Sequence, residues 1–424
     1  MRFKTILIFL VGIALGGALF WIFTGSPNDR EETPPPLAAG KPEWMAAPPA
    51  DPQGPAAREA QDEAEDRALI VGVIGPETGT EAKYGLAVLE GVVMAADQFN
   101  ARGGVRGEKI EIIHQDNSGG SGQALDIVSA MIEKKVVAIF SAPTGWSTFA
   151  PTHLVNQSRT LFISVGTRRK IGRSGDYIFH FSLPDEIAVE ALLDYATRKM
   201  GYENFALVTS SSYDYSLSIA SVFKQTALRI GSRILVEADT YNTFSGMTDI
   251  GNVLAALKAS PEELQAIIFT GSALEAGQLA RAAKDNGLNL PLIGSEDLFS
   301  EQFLSEAGNA AQGALVYATF APDHPSPMVA EFIADHVDRN KVAPDRFTAL
   351  AYDAFGLLSE ALEVAGSLNG RRVRDALVNM KETDGVTGAS RLAPDGTPIK
   401  HPHLYRVDSD KSGEKFVLVL ENGE

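Results

Sequence analysis

The sequence predicts an α/β fold in which two doubly wound, parallel sheets form two lobes. The clearest indication lies at residues 136–167, where two short apolar runs, 136–140 and 161–164, flank a stretch of helical character at 147–158. Such a strand–helix–strand unit places two parallel strands in one sheet, with a right-handed crossover. Similar units recur over residues 68–293, and they contain more strands than one small sheet holds. We therefore expect two α/β lobes.

The N-terminus contains an uncharged apolar run at 5–24, which follows Arg2 and Lys4. About 20 apolar residues match the length of a membrane-spanning helix, and the preceding cations keep the N-terminal end in the cytoplasm. Trp21 lies near the outer end, where aromatic residues anchor such helices. Because no convincing small-x-small cleavage site follows, we predict an uncleaved transmembrane anchor at 1–25, with a cleaved signal peptide as the alternative.

Residues 26–67 differ abruptly in composition from the rest of the chain. They are rich in proline, alanine and acidic residues, and they show no apolar period. A segment of this composition does not bury enough apolar surface to offset the entropy of ordering, and its prolines keep it extended. We predict a semi-rigid linker between the anchor and an exported, folded region.

The composition excludes several classes of function. The formal net charge of −17 over 424 residues argues against nucleic-acid binding. The chain contains no cysteine, which removes disulfides, thiolate zinc sites and cysteine nucleophiles. Motifs of the types G-x-S-x-G, G-x-x-x-x-G-K-[ST] and H-E-x-x-H are absent from the sequence. We therefore expect no enzyme, no metal and no cofactor.

From residue 68 onward, short apolar runs alternate with amphipathic stretches. The first strand, 68–75, leads through a glycine-rich loop at 75–79 into a helix over 85–101 whose apolar residues share one face. Turns near the end of the chain indicate an antiparallel hairpin within 385–420. Further strands are expected at 109–114, 177–181, 205–209, 234–239, 266–269 and 290–293, an apolar run follows at 314–320, and further helices are expected at 123–134, 185–200, 217–230, 248–259, 274–286 and 347–364.

Small and hydroxylated residues follow both strands of the 136–167 unit. Residues 141–145 come after the first strand, and residues 165–167 come after the second. Ligands of open parallel sheets bind outside the carboxyl ends of the strands. Free N–H groups at a helix start, together with hydroxyls, suit an anion such as a carboxylate. Ordinary tight turns need the same residue types, so these residues alone leave both interpretations open.

The first loops of the folded region resemble those of a known family. Gly75-Pro76-Glu77-Thr78-Gly79, the pair Tyr84-Gly85 and the phrase NARGGVRG at 100–107 resemble the start of the branched-chain amino-acid (Leu/Ile/Val) binding proteins. These are type I periplasmic binding proteins of ABC transporters, and the resemblance covers nearly all of the chain from residue 68. It implies a Venus-flytrap fold whose two lobes are joined by three crossovers, with 68–183 and 320–386 in lobe 1 and 184–319 and 387–424 in lobe 2.

The resemblance also implies a ligand site between the lobes. In lobe 1, the family holds the ligand's carboxylate after the third strand, which corresponds to Thr144, Gly145 and Trp146. It adds contacts after the fourth strand, which correspond to Gly166 and Thr167. Gly145 stands where the family has a serine, so Thr144 or the backbone N–H of Trp146 would replace that contact.

Four further residues complete the site that the resemblance implies. Tyr84 lies in the first loop of lobe 1, and Tyr215 falls on a tyrosine that closes over the ligand. Ser272 replaces what is often an aromatic residue, and Glu296 falls on the acid that pairs with the ligand's ammonium. Without the resemblance, Tyr84 caps the lobe with its ring, Tyr215 is an ordinary surface tyrosine, and Glu296 forms a solvated acidic pair with Asp297.

The sequence thus predicts an extracytoplasmic solute-binding protein that captures an amino acid, or a related small amide or carboxylate, by hinge closure. Its expected partner is an ABC transporter permease or a sensor. We expect it in the periplasm, tethered to the inner membrane, or free in the periplasm if the signal is cleaved. Two other functions stay open: a ligand-free envelope scaffold or activator with the same fold and, less favoured, a nucleotide-cofactor enzyme.

Overall fold

The structure, a computed structural model, describes residues 68–167, 171–211, 214–243, 246–411 and 413–420. All described residues belong to one compact unit. The predicted anchor at 1–25 and the predicted linker at 26–67 lie outside the described residues. Within the described ranges, none of the helices combines the length and the apolar character that a membrane crossing requires.

The described residues form strands β1–β15 and helices α1–α12. The strands are β1 Leu69–Gly75, β2 Ile110–Asp116, β3 Ala138–Ser141, β4 Leu161–Val165, β5 Ile178–Phe181, β6 Asn204–Ser210, β7 Arg233–Thr243, β8 Gly246–Thr248, β9 Ala266–Thr270, β10 Leu292–Gly294, β11 Leu315–Ala318, β12 Ser390–Leu392, β13 Pro398–Lys400, β14 His403–Asp410 and β15 Gly413–Leu420. The helices are α1 Ala82–Ala101, α2 Ser121–Glu133, α3 Trp146–Phe149, α4 Thr152–Ser158, α5 Asp185–Arg198, α6 Asp214–Ile230, α7 Ile250–Lys258, α8 Ala273–Asp285, α9 Glu301–Ala307, α10 Pro327–Asn340, α11 Arg346–Ala365 and α12 Gly370–Asn379. Short 3-10 helices lie at Ile171–Ser174, Glu296–Leu298 and Gly308–Ala311.

The first sheet contains five parallel strands in the order β2-β1-β3-β4-β5. In the ladder, Val71 of β1 pairs with Ile112 of β2 on one side and with Ala138 of β3 on the other. Strands β3, β4 and β5 are buried along their whole length, because helices cover both faces of the sheet. This burial explains why the strands are continuous apolar runs in the sequence. The predicted parallel α/β architecture is confirmed.

Proline splits one helix that the sequence predicts as continuous. The stretch at 147–158 forms two short helices, α3 and α4, on either side of Pro151. Proline has no N–H to donate, and it disfavours a helical conformation of the residue before it. The prediction of a single helix was therefore wrong at this point, although both flanking strands lie where it put them.

Helix α11 returns from late in the chain to complete the core of the first sheet. It packs along α1, and a Cβ at Gly91 of α1 would lie only 2.2 Å from the carbonyl oxygen of Thr348 in α11. Phe355 of α11 stacks near Phe140 of β3, with ring centroids 5.8 Å apart. We call the first sheet and the helices packed on it the first lobe. Because α11 is fixed in this core, its first residue, Arg346, is placed firmly as well.

The second sheet contains eight strands in the order β15-β14-β11-β10-β9-β6-β7-β8. Strands β6, β7, β9, β10 and β11 are parallel, whereas β8, β14 and β15 pair antiparallel to their neighbours. Two apolar clusters cover its faces, one built with α5 and α6 and the other with α7, α8 and α9. The hairpin predicted near the end of the chain is confirmed by β14 and β15. We call this sheet with its helices the second lobe.

Two buried, oppositely charged side chains, Asp353 of α11 and Lys400 of β13, lie where α11 meets the segment that leads to β14. Asp353 accepts hydrogen bonds from the N–H groups of Val386 and Thr387, each at 2.8 Å. Lys400 donates to the carbonyl oxygen of Thr387 at 2.6 Å. Because burial disfavours a charge, it raises the pKa of Asp353 and lowers the pKa of Lys400 to about 8. The hydrogen bonds that Asp353 accepts and Lys400 donates hold the segment at 386–400 against the core of the first lobe.

Candidate ligand-binding cleft

A cleft of about 870 Å³ lies where the carboxyl ends of the two sheets meet. Both lobes contribute to its walls, mostly through residues that directly follow a strand or begin a helix there. From the first lobe, the walls include Tyr84, Gly145, Gly166, Thr167, Arg346 and Phe347. From the second lobe, they include Asp185, Glu186, Asp214, Tyr215, Ser218 and Asp297. The edge at which the sequence places a ligand is therefore an open cleft in the structure.

Two aromatic rings form an apolar wall of the cleft. The rings of Tyr84 and Phe347 meet edge to face, with centroids 5.1 Å apart and an interplanar angle of 78°. Gly166 lets the Phe347 ring approach, because a Cβ at this position would lie 2.5 Å from the ring. The guanidinium of Arg346 lies over the same ring, 4.8 Å from its centroid. The wall thus combines a flat apolar surface with a cation at its edge.

Most hydroxyl groups of the loop after β3 form hydrogen bonds within the loop itself. The hydroxyl of Thr144 lies 2.5 Å from that of Ser147, and the Thr144 N–H donates to the Thr148 hydroxyl at 3.1 Å. Thr144 is buried, whereas Gly145 is exposed and lines the cleft. Gly145 has φ of +65°, a conformation that favours glycine, which explains why no serine stands there. Trp146 begins α3, and its side chain lies outside the described part of the chain.

The loop after β4 reaches the cleft directly. Gly166 has φ of +70°, and its N–H donates to the carbonyl oxygen of Phe181 at 2.8 Å. Thr167 is buried and lines the cleft. The tight turn at Gly166 therefore brings Thr167 to the same wall as Gly145.

In the second lobe, Tyr215 lies in the cleft and is held by a carboxylate. Its hydroxyl donates to Oδ1 of Asp185 at 2.9 Å, and the hydroxyl of Tyr317 approaches the same oxygen at 3.4 Å. Asp185 begins α5, at the point where the chain has just left the first sheet. The Tyr215 ring is thereby fixed close to the connection between the lobes.

Ser272 stabilises the start of a helix. It is the N-cap residue of α8, and with Glu275 it forms a capping box. The fully buried carboxylate of Glu275 accepts from the Ser272 N–H at 2.9 Å and from the hydroxyl of Ser210 at 2.8 Å. Ser272 does not line the cleft of about 870 Å³, and its role as a ligand contact stays a prediction.

Glu296 is buried behind the cleft. Its Oε1 accepts from the Thr319 N–H at 2.6 Å, and its Oε2 accepts from the Thr319 hydroxyl at 3.0 Å. Nη1 of Arg346 lies 3.4 Å from Oε2, and Nη2 lies 3.7 Å from Oδ1 of Asp297. Glu296 and Gly166 share a second, deep cavity of only about 20 Å³. Glu296 is thus an inward-facing acid that is paired with the protein's own arginine, and its predicted role as a ligand contact stays a prediction.

Acidic groups outnumber cations along the described part of the cleft. The Arg346 guanidinium is accompanied by five carboxylates, those of Glu81, Asp185, Glu186, Asp214 and Asp297. Within the described ranges, no three histidine or acidic side chains are grouped closely enough to hold a metal ion. The arrangement suits non-covalent binding of a small amphipathic solute: an apolar wall, a cation at its edge, and polar groups from two lobes.

Of the residues that the sequence implicates, Tyr84, Gly145, Gly166, Thr167 and Tyr215 line the cleft together. Their role as ligand contacts stays a prediction. Arg346 and Phe347 also line the cleft, but the sequence did not indicate them as site residues. The available signal was the Asp345 that precedes them, because this N-cap residue marks the start of a helix whose first turn faces the cleft.

Comparisons with known proteins agree with this architecture. The sequence model of the periplasmic binding protein family matches residues 69–414. The Leu/Ile/Val-binding protein BraC3 of Rhizobium johnstonii is 25% identical over 347 residues, which cover 81% of this chain and 92% of that protein. A putative branched-chain amino acid ABC transporter structure from Rhodospirillum rubrum superposes with a TM-score of 0.73 at 24% identity, and the match covers 83% of this chain and 100% of that one.

A further solved structure shows the same fold. It is a solute-binding protein of an ABC transporter from Rhodopseudomonas palustris, in complex with 3,4-dihydroxybenzoic acid. It has a TM-score of 0.66 at 22% identity, and the match covers 83% of this chain and 96% of that one. Since the family model spans most of the 424 residues, the chain belongs to the periplasmic binding protein family, as an extracytoplasmic solute-binding protein of the type I group that includes the branched-chain amino-acid binding proteins.

Proposed function

We propose that this protein captures an amino acid, or a related small amide or carboxylate, between its two lobes and presents it to an ABC transporter permease. The observation that carries the proposal is the cleft of about 870 Å³, which both lobes line with polar groups at the carboxyl ends of their strands. Binding without chemistry is the corresponding mechanism, so we propose no catalytic activity.

The names of the relatives support a solute that bears a carboxylate. One relative is named as a Leu/Ile/Val-binding protein, and another was solved with 3,4-dihydroxybenzoic acid. These two kinds of solute share a carboxylate and an apolar body. The cleft of the present protein offers a counterpart to each, in the cation of Arg346 and in the rings of Tyr84 and Phe347.

Capture occurs by hinge closure of the two lobes. The lobe assignment stays as the sequence predicts it, 68–183 with 320–386 and 184–319 with 387–424, except near the third crossover. There, Leu392 packs in the core of the first lobe, and the carbonyl oxygen of Gly396 accepts from the His180 N–H at 3.1 Å. We therefore move the third crossover from the predicted boundary at 386–387 to residues 400–403. Closure removes water from the cleft, which strengthens the polar contacts of a bound solute.

Residues 1–25 tether the protein to the inner membrane, and residues 26–67 act as a spacer. This assignment rests on the uncharged apolar run and on the proline-rich composition that follows it. A tether keeps the binding protein close to a membrane-embedded permease and raises its effective concentration there.

A thermal-shift screen of the full-length protein against amino acids, amides and small aromatic acids tests the proposal. A ligand at 100 times its dissociation constant adds about 2.7 kcal/mol to the free energy of unfolding. For a folded region of this size, that corresponds to a rise in Tm of roughly 3–4 °C. A rise with at least one of these solutes is expected. If none of them shifts the Tm, the ligand-free scaffold becomes the better account.

A further inference from the structure

Arg346 lies where the main cleft adjoins the smaller cavity that Glu296 lines. As the first residue of α11, Arg346 lines both the cleft of about 870 Å³ and the deep cavity of about 20 Å³. Glu296 contributes to the walls of the deep cavity only. A volume of about 20 Å³ holds about one water molecule, which is far too little for the headgroup of an amino acid. A ligand in the cleft therefore meets the guanidinium before it meets the acid.

The carboxylate of Glu296 is already satisfied. Each of its oxygens accepts a hydrogen bond from Thr319, at 2.6 and 3.0 Å, and the Arg346 guanidinium supplies the balancing charge at 3.4 Å. Only 9% of the Glu296 side chain is exposed. The ammonium of an amino acid would have to displace Arg346 in order to pair with this acid, the partner that the family resemblance implies for it.

Such a displacement is unfavourable, because Arg346 is held on three sides. It lies between Glu296 and Asp297 of the second lobe, and it stacks on Phe347 of its own helix. Guanidinium is more weakly hydrated than ammonium and so suits a partly buried position. Arg346 is also part of the chain, so its pairing with Glu296 costs no translational entropy. A free amino acid loses translational freedom when its ammonium binds.

Arg346 retains donors for a ligand. Its contacts to Glu296 and Asp297, at 3.4 and 3.7 Å, are longer than well-formed N–H···O hydrogen bonds. A guanidinium has five N–H donors in a planar fork that matches a carboxylate. The Arg346 side chain is 27% exposed and lies over the rim of the aromatic wall. A carboxylate in the cleft can therefore bind the guanidinium while the body of the ligand packs against the rings.

We propose that Arg346 takes the place of a ligand ammonium at Glu296 and that the cleft selects small carboxylic acids that lack an α-ammonium. The acid's carboxylate binds Arg346, and its apolar or aromatic body packs on Tyr84 and Phe347. This inference rests on the proposed function, and it narrows the class of solute. It makes Arg346 the residue that determines specificity.

The other acids of the cleft favour the opposite selectivity, for ligands that carry an ammonium. Glu81, Asp185, Glu186 and Asp214 also line the cleft, and their negative charge attracts cations. If these acids govern recognition, a ligand with an ammonium binds better than one without it. The experiment must therefore compare solutes that differ in the ammonium alone and in the carboxylate alone.

Two matched sets of solutes make this comparison by isothermal titration calorimetry on the full-length protein. The first set is 4-methylpentanoate, leucine and 3-methylbutylamine. The second is 3-phenylpropanoate, phenylalanine and 2-phenylethylamine. We expect one of the deaminated acids to bind at least about tenfold more tightly than its amino acid and its amine, a difference of about 1.4 kcal/mol.

Variants at Arg346 assign the preference to this residue. In Arg346→Gln, the acid is expected to bind at least about tenfold more weakly, because the charge-assisted bidentate contact is lost. The freed Glu296 then favours the amino acid, so the order of the two affinities reverses. Arg346→Lys keeps the charge and is expected to retain the preference for the acid. Arg339→Gln removes an arginine from an exposed ion pair with Asp97 on the outer surface, and it should leave every affinity unchanged.

The outcomes separate this inference from the proposed function. If the wild type binds an amino acid or an amine about tenfold more tightly than the matched acid, the inference is overturned while solute capture stands. If wild type and Arg346→Gln rank the solutes alike, Arg346 does not determine specificity. Binding of none of the six solutes overturns the inference, whereas the proposed function is decided separately by the wider thermal-shift screen. If Arg346→Gln fails to fold, the order of the solute affinities of the wild type still tests the proposal.

Discussion

Replacing Asp353 with alanine is expected to lower the free energy of unfolding by about 3–5 kcal/mol, because buried N–H groups lose their acceptor and the buried ammonium of Lys400 loses a nearby negative charge. The Asp353 carboxylate accepts from the N–H groups of Val386 and Thr387, and it balances the buried ammonium of Lys400. The alanine leaves these two N–H groups without their acceptor and leaves Lys400 with carbonyl oxygens as its partners. Urea unfolding of both proteins at neutral pH measures the difference.

The control removes an acid from an ion pair on the surface. Asp97 pairs with Arg339 at 2.7 Å, and both side chains are substantially exposed. Asp97→Ala is expected to change the free energy of unfolding by less than about 1 kcal/mol. An Asp353→Ala protein as stable as Asp97→Ala would contradict the assignment of Asp353 and Lys400 as the link between α11 and the segment at 386–400.

Replacing Gly166 with alanine is expected to weaken binding of the best ligand from the thermal-shift screen by at least about tenfold, or about 1.4 kcal/mol. The new Cβ would lie 2.5 Å from the Phe347 ring, well inside van der Waals contact. The ring must therefore move, and Arg346, which stacks on it, loses its support. Calorimetric titration of the variant measures the change in affinity.

Gly201→Ala separates this effect from backbone strain. Gly201 has φ of +73°, close to the +70° of Gly166, but a Cβ there meets no atom within 4 Å. Both alanines bear a strain of about 1–2 kcal/mol from the left-handed conformation, whereas only Gly166→Ala disturbs the aromatic wall. Equal ligand affinities of the two variants would show that Phe347 and Arg346 do not form the binding surface.

The parallel sheets were predictable because their strands are buried on both faces. The runs at 136–140 and 161–164 contain almost only apolar residues, and the structure confirms them as the buried strands β3 and β4. Short apolar runs that are bounded by turn residues are typical of strands buried on both faces of a parallel sheet. The sequence did not indicate α12 in the same way, because only Val373 and Leu377 of that helix are buried. Two apolar residues are too few to establish a helical period.

The partners of the cleft residues were not predictable, because they come from distant parts of the chain. The sequence placed Glu296 at the carboxyl end of a strand, and the structure finds it there, directly after β10. The pairing with Arg346 depends on how α11 packs in the first lobe, which no local pattern encodes. The structural role of Ser272, in contrast, was predictable, because its capping box with Glu275 is visible in the sequence as Ser-Ala-Leu-Glu.

Hinge closure around the ligand is most directly tested by a distance across the cleft. The chain contains no cysteine, so two introduced cysteines can be spin-labelled without background. Gln123 is exposed in the first turn of α2 in the first lobe, and Leu217 is exposed in the first turn of α6 in the second lobe. Double electron–electron resonance on Gln123→Cys/Leu217→Cys then reports the separation of the lobes. The account predicts that a ligand which raises the Tm also shortens this distance by several ångströms, and an unchanged distance with that ligand bound would contradict it.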